Sequence, residues 1–132
     1  SDVYKRQIEK TMNVKISCTG SGWASAAFSG KADPDEMIRK YDDILESVLK
    51  AGAKGVILDV RRLEGRISKV DMHFLITAMS GFRDNCVKVA LLEKDGRGGN
   101  FNNRLIINTA YNRNIEFEVF REEREAEKWL SG

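Results

Sequence analysis

The chain has 132 residues, a length typical of one domain, and its 22 basic and 20 acidic side chains leave a formal net charge of +2. So balanced a charge requires neither a nucleic acid nor a membrane as a partner, and no apolar run is long enough to span a bilayer. Cys18 and Cys86 lie far apart, each in or beside a strand-like run where a thiol behaves as a small apolar group, which favours a reducing cytoplasm.

The first eleven residues need separate treatment. Residues 2–7, with the sequence DVYKRQ, resemble the translation of an adapter used in preparing DNA sequencing libraries. We therefore expect residues 1–11 to be a non-native tail and residues 12–132 to form the domain. A native, frayed helix that ends near Lys10 is the alternative.

The next residues predict a hairpin followed by a helix. Apolar and polar residues alternate over 14–18, a turn-rich break follows, and a second strand is predicted over 23–28. Asp33 is suited to cap a helix that has Pro34 at its first position and an acidic residue three places after the cap. Apolar residues at three- and four-residue spacing continue this helix to Leu49, and Gly52 supplies a left-handed stop.

The middle of the chain predicts a buried strand and a second helix. The aliphatic run over 56–60 is typical of a central strand that helices cover on both faces. Residues 68–79 are predicted to form a helix capped by Ser68 and ended by Gly81, and residues 87–92 form another buried strand.

The last third predicts a helix over 100–111, an edge strand over 115–119 with one wet face, and a short terminal helix. Asn112 and Asn114 are suited to a left-handed exit from the first of these helices. The order ββαβαβαβα predicts an α/β fold: a single domain with a mixed, largely parallel sheet and helices packed on it.

The residues show no catalytic apparatus. The sole histidine, His73, lies among apolar neighbours without a second metal ligand at a suitable spacing. Motifs of serine hydrolases, zinc proteases and nucleotide triphosphatases are missing from the sequence, and so is a basic stripe with interleaved aromatic residues. We therefore expect a protein that is not an enzyme and has no catalytic residue, metal, cofactor or nucleic-acid partner. A minimal enzyme using Asp59, Glu64 and Arg97 is the least favoured alternative.

Two stretches are candidates for binding an anion. Gly98 and Gly99 follow Arg97 between a buried strand and a helix, where free backbone N–H groups could hold an anion. Arg61 and Arg62 follow the central strand and are expected, together with Arg97, at the carboxyl edge of the sheet. Turn formation alone would also explain the glycines, and a solvated basic loop would explain the arginines.

The order of elements, with GVILDVR, VKVALL and the closing EVFREEREAEKWL, resembles the STAS superfamily, which comprises sulphate transporter and anti-sigma factor antagonist domains. The resemblance covers residues 13–130 and is greatest to stand-alone bacterial STAS/SEC14-like proteins. It implies a STAS-like domain that is regulatory and binds a protein partner. The SEC14-like part of the resemblance implies the alternative, a module that binds a small anion or a lipid.

The superfamily's functional motif, D-L-x-x-V-x-x-I-D-S-x-G-L, places a phosphorylatable serine at the start of a helix. Asp59, Val60 and Leu63 match its beginning, and Ser68 falls at the position of the serine. Ser68 is therefore a candidate phosphorylation site by resemblance, although helix capping alone would also account for it.

The sequence departs from this motif around the serine. Ile67, Val70 and Asp71 stand where the superfamily has aspartate, glycine and leucine, so a partner would meet an altered surface. The residues expected to contact a protein partner lie in the loop and helix around Ser68: Arg66, Lys69, Met72 and His73.

The oligomeric state is open. The acidic alternation of the last strand discourages pairing between sheet edges, whereas an exposed Trp23 or Trp129 would support a dimer.

Overall fold

The structure is a computed structural model that describes residues 11–18, 22–94 and 103–132. In chain order its elements are β1 (Asn13–Cys18), β2 (Trp23–Lys31), α1 (Pro34–Lys50), β3 (Gly55–Glu64), α2 (Lys69–Thr77), α3 (Ser80–Asp84), β4 (Lys88–Leu92), α4 (Asn103–Asn112), β5 (Phe117–Phe120) and α5 (Glu123–Ser131). The predicted order is confirmed with one addition, the short helix α3.

The five strands form one sheet in the order β1-β2-β3-β4-β5. The hairpin strands β1 and β2 pair antiparallel, and every later neighbour pairs parallel. Each parallel pair is joined through a helical crossover, the connection that parallel strands require. The predicted mixed, largely parallel sheet is therefore confirmed.

Helix α1 begins and ends where its sequence signals predict. The carboxylate of Asp33 accepts a hydrogen bond from the Glu36 N–H at 3.2 Å, and Pro34 occupies the first turn. Gly52 follows the helix with a φ of 66°, the left-handed conformation that glycine adopts without a steric penalty. The helix buries one apolar face against the sheet, through Met37, Tyr41, Ile44 and Val48.

The prediction of one helix over 68–79 ended by Gly81 is wrong. Helix α2 ends at Thr77, and Gly81 lies inside α3. The reason is tertiary: α3 brings Phe82, which is 1% exposed, into the core, where its ring meets that of Tyr41 edge-on at 5.8 Å. The chain leaves α3 through Cys86, whose φ is 57°.

The two faces of the sheet are covered unequally. Helices α1, α2 and α4 pack on one face and form the main core with the buried side chains of all the parallel strands. On the opposite face, α5 packs through Ala126 against Ile57, Ala90 and Leu92 to form a second, smaller core. The exposed side chain of Ala27 on β2 lies beyond this cover, so the described residues leave that face partly open.

The end of the chain follows its predicted alternation. Ile115 and Phe117 are buried, whereas Glu116 and Glu118 are exposed on the edge strand. Asn114 has a φ of 58°, as predicted for a left-handed exit. Asn112 is instead the last residue of α4.

The cysteines are not packed as the sequence predicts, and the tryptophans do not meet the condition that would favour a dimer. Cys18 and Cys86 are free and exposed rather than packed as small apolar groups, because the first ends an edge strand and the second lies in a turn. Trp23 and Trp129 are half-buried and pack against the smaller core, so neither is the exposed ring that would support a dimer.

Of the helices in the described part of the chain, none combines the length and the apolar character that a membrane span needs.

Candidate functional site

Ser68 lies at the N-cap of α2 with its side chain exposed to solvent. Its Oγ accepts a hydrogen bond from the Asp71 N–H at 3.1 Å, and its carbonyl oxygen accepts one from the Met72 N–H at 2.9 Å. The preceding Ile67 is 5% exposed and anchors the loop in the core. The backbone of this site is therefore held firmly, while the hydroxyl stays accessible.

Three of the four residues expected to contact a partner are exposed. Arg66 and Lys69 flank Ser68, and His73 lies one turn further along α2. Met72 is only 4% exposed and packs in the main core, so the expectation that it contacts a partner is wrong. It shares a helix face with Leu75, which also points to the sheet.

Sequence reasoning missed two exposed apolar side chains on the same helix. Val70 is 65% exposed and Phe74 is 56% exposed, and they lie one turn apart. The sequence of α2 does indicate such an exposed apolar surface. Most of its nine residues are apolar, and a helix of this length cannot bury all of them on one face.

Phe74 lines a groove of about 440 Å³ between α1 and α2, which we name the helix groove. Ile38 and Ala78 contribute apolar surface, and Asp35 and Asp71 contribute carboxylates. The described residues that line the groove are Pro34, Asp35, Ile38, Asp71, Phe74, Thr77 and Ala78. The groove is thus open, partly apolar and acidic.

His73 links α2 to the turn after α4. Its Nε2 lies 3.3 Å from Nη2 of Arg113. Because a guanidinium only donates hydrogen bonds, this contact requires Nε2 of His73 as the acceptor. In the part of the chain that the structure describes, no three histidine, cysteine or acidic side chains come together as metal ligands.

Arg61 and Arg62 lie within β3 rather than in the loop that the sequence predicted, because the strand continues to Glu64. Ala27 on β2 pairs with Asp59 on β3, and Ser29 pairs with Arg62. The pairing thus moves two residues along β2 but three residues along β3. This β-bulge places an extra residue in β3, so two consecutive arginines are directed toward the same face of the sheet.

Asp59 holds the side chain and backbone of Arg61. Its Oδ1 accepts hydrogen bonds from the Arg61 backbone N–H at 3.1 Å and from Nε at 3.0 Å, and its Oδ2 accepts one from Nη2 at 2.9 Å. These hydrogen bonds are the main reason that the pKa of Arg61 is raised, with a further contribution from the charge of Glu123. Arg61 therefore remains charged and has a fixed orientation.

The two arginines line a second groove of about 580 Å³ on the open face of the sheet, which we name the sheet groove. Its lining residues are Lys15, Ala27, Phe28, Ser29, Asp59, Arg61, Arg62 and Lys94. Arg66 and Lys69 do not belong to it. The predicted contributions of Arg97, Gly98 and Gly99 lie outside the described residues.

The described residues of the main core enclose only a small space at the cavity between the sheet and the helices. A cavity of about 10 Å³ lies between the sheet and the helices, with Met37, Leu58 and Met72 among its lining residues. That volume is about the minimum for a single water molecule. This cavity is therefore far too small to hold a lipid chain, which a SEC14-like lipid-binding module would have to bind.

No protein-family model matches the sequence, and no curated protein matches it significantly. The structure is similar to the crystal structure of an anti-sigma factor antagonist from Mycobacterium paratuberculosis. The TM-score is 0.59 at 12% sequence identity, and the match covers 93% of this chain and 97% of that chain. The predicted resemblance is confirmed at the level of the fold: the chain has a STAS-like α/β fold.

Proposed function

We propose that the protein is a regulatory domain that binds a partner protein through the exposed face and N-terminus of α2. The observation that carries this proposal is the exposure of Val70 and Phe74 one turn apart on the helix that Ser68 caps. The STAS-like fold supports it, since the similar crystal structure is that of an anti-sigma factor antagonist. In this proposal the domain acts by binding and needs no catalytic residue or cofactor.

The exposed apolar surface is of the kind that a partner covers. Single exposed apolar side chains are ordinary, but two neighbours on one helix face beside a groove are typical of an interaction site. Full burial of a phenylalanine side chain is worth about 1.5–3 kcal/mol. Covering Phe74 would therefore supply a useful part of the binding free energy, and the helix groove offers space for an apolar side chain of the partner.

The surrounding charges specify the partner further. Arg66 and Lys69 lie at the N-terminal end of α2, whereas Asp35 and Asp71 line the helix groove. The complementary partner surface has an apolar side chain at its centre, acidic residues toward Arg66 and Lys69, and a basic residue toward the carboxylates. Such complementarity fixes the orientation of a complex more than it raises affinity.

Phosphorylation of Ser68 would regulate this surface. The exposed hydroxyl is accessible to a kinase, and a phosphate would add a charge of about −1.5 to −2 at the N-terminus of α2, where the helix dipole favours an anion. The same charge would neutralise the positive field of Arg66 and Lys69. Phosphorylation is therefore expected to weaken binding of an acidic partner while it leaves the fold intact.

The proposal is tested by quantitative affinity capture from a lysate of the source cells, with the whole chain as bait. We expect a protein that is retained by the wild type and lost with Phe74→Asp. Leu49→Asp is the matched control, because Leu49 is also an exposed apolar residue, at 48%, but lies on α1 away from Ser68. A captured protein that fails to distinguish these two baits, or no captured protein at all, contradicts the proposal.

The charged end of the surface has its own test with the purified pair. Arg66→Glu and Lys69→Glu are each expected to weaken the complex by about tenfold, the effect of losing about 1.4 kcal/mol. Arg62→Glu makes the same change in charge on the open face of the sheet and should leave affinity within about twofold. Equal effects of all three substitutions would show a general effect of net charge and refute this surface.

A further inference from the structure

We infer that the sheet groove is a binding site for the phosphate monoester group of a small molecule. This site lies on the face of the sheet opposite the main core, away from α2, and it is independent of the proposed protein-binding surface. Its volume of about 580 Å³ lies within the range of small-molecule sites, about 300–1,000 Å³.

The described residues that line the groove carry an excess of positive charge. Among the described residues, Lys15, Arg62 and Lys94 form no ion pair with a carboxylate. Asp59 is the only acidic residue that lines the groove in the described part of the chain, and it is paired with Arg61 at 2.9 Å. Three cationic side chains are therefore left to neutralise a ligand.

The backbone determines that these charges converge. Lys15 lies on β1 opposite Ala27, and Ala27 lies opposite Asp59 on β3. The bulge after Asp59 directs Arg61 and Arg62 toward this same open face. Lys94 follows the end of β4. A site formed by three neighbouring strands and the end of a fourth needs little rearrangement to bind a ligand.

The Asp59–Arg61 pair adds geometric specificity. Asp59 engages Nε and Nη2 of Arg61, which leaves Nη1 available to a ligand in a fixed position. An arginine held in this way loses little conformational entropy when it binds an oxyanion. Ser29 adds a hydroxyl group to the groove, and the exposed Ala27 adds a small apolar surface for the rest of a small molecule.

The charge balance favours a phosphate monoester over a single carboxylate. A monoester carries about −1.5 to −2 at neutral pH and presents three acceptor oxygens, which suits three unpaired cations. A carboxylate would leave most of the positive charge without a counterion. The described residues that line the groove include no exposed aromatic ring on which a nucleobase could stack, so they do not favour single-stranded nucleic acid.

The test measures the binding of two probes to the whole chain at constant ionic strength. Binding of inorganic phosphate is measured by NMR titration. Binding to vesicles of phosphatidylcholine, with or without phosphatidate, is measured by sedimentation. Saturable binding of inorganic phosphate indicates a free phosphorylated ligand, and binding to phosphatidate vesicles alone indicates a lipid headgroup. We expect Arg62→Glu with Lys94→Glu to weaken either binding by at least about tenfold.

The matched control is Arg66→Glu with Lys69→Glu, which replaces the same residue types outside the sheet groove and should change phosphate affinity by no more than about twofold. A neutral pair, Arg62→Gln with Lys94→Gln, repeats the test without introducing repulsion if the first variant folds poorly. The inference is overturned if neither probe binds saturably, or if the groove variants and the control pair lose binding equally. Retention of the protein partner by the groove variants separates this result from the proposed function.

Discussion

Asp59 and Arg61 form a closed set of hydrogen bonds at the point where β3 bulges. One carboxylate accepts from the Arg61 backbone N–H and from two nitrogens of its guanidinium, at 2.9–3.1 Å. A bulge leaves its extra residue outside the regular ladder, so the backbone N–H of that residue needs another acceptor. Asp59 supplies this acceptor and at the same time fixes the direction of the arginine that lines the sheet groove.

Replacing Asp59 with alanine is expected to lower the free energy of unfolding by about 1–2 kcal/mol, because the backbone N–H and the guanidinium both lose their acceptor. Asp59→Asn keeps one oxygen for the backbone N–H and should cost less than the alanine variant. Urea denaturation measures the free energy of unfolding of each variant and shows which of the two is less stable. Arg62→Ala is the control, since its side chain is exposed and has no described ion-pair partner, and it should stay within about 0.5 kcal/mol of the wild type. An asparagine variant as unstable as the alanine variant would contradict this account of the bulge.

Local signals were sufficient to predict most of the fold. Both helix caps, at Asp33 and Ser68, form with the donors that their spacing predicts, since a cap depends only on residues within one turn. The buried run that begins β3 is covered on both faces, as its continuous aliphatic sequence predicts. These features could be predicted because neighbouring residues alone decide them.

The candidate sites depended on distant contacts and were predicted less well. Regular strand alternation would place Arg61 and Arg62 on opposite faces, and only the pairing of β3 with β2 shows the bulge that directs them to one face. In the same way, Met72 and Phe74 are both apolar residues of α2, but only the first is buried. Which side of α2 faces the sheet depends on the packing of whole helices, and the sequence of α2 alone does not contain that information.

The stability of the protein is expected to fall steeply above pH 10 because of Tyr41. Burial raises the pKa of Tyr41 above its ordinary value of 10. Below pH 10 the phenol is protonated in both the folded and the unfolded states and adds no pH dependence. Above pH 10 the unfolded state releases this proton while the folded state retains it, so the free energy of unfolding decreases by up to about 1.4 kcal/mol per pH unit.

Urea denaturation between pH 8 and pH 11 measures this effect by comparison with Tyr41→Phe, which keeps the ring that packs edge-on against Phe82. The phenylalanine variant should lose less stability over this range, because it has no buried phenol to ionise. Tyr111→Phe is the control, because Tyr111 is 81% exposed, and its slope should match that of the wild type. Parallel slopes for the wild type and Tyr41→Phe would contradict the prediction.

Trp129 is expected to hold α5 on the sheet. Its ring lies 5.7 Å from the ring of Phe120, and Nζ of Lys88 lies 5.2 Å from its centroid. Fully buried tryptophans cost about 3–5 kcal/mol when truncated to alanine, so the half-buried Trp129 should cost about 2 kcal/mol. Chemical denaturation of Trp129→Ala measures this, and the fluorescence of Trp23, which packs on the same small core, reports any loosening.

The control for Trp129 is Leu49→Ala, which removes an exposed apolar side chain and should change stability by no more than about 0.5 kcal/mol. If Trp129→Ala were as mild as this control, α5 would be held by Ala126 and its neighbours alone. The smaller core would then contribute to stability without the aromatic contacts.

Substitutions of Ser68 should separate its capping role from its role in partner binding. Ser68→Ala removes the oxygen that accepts from the Asp71 N–H and should lower the free energy of unfolding by about 1 kcal/mol. Ser68→Asp and Ser68→Asn both retain a capping oxygen and should be about as stable as the wild type. Only Ser68→Asp places a negative charge between Arg66 and Lys69, so only this variant should weaken the partner complex, by about tenfold.

We therefore expect the three variants to rank differently in stability, measured by denaturation, and in affinity for the partner, measured by binding. Stability depends on whether the side chain at position 68 can accept a hydrogen bond, whereas affinity depends on whether it is charged. If affinity followed stability, with Ser68→Ala the weakest binder, then capping of α2 would be sufficient to explain the serine. If Ser68→Asp alone lost affinity, the exposed hydroxyl would be placed where phosphorylation can control the partner without unfolding the domain.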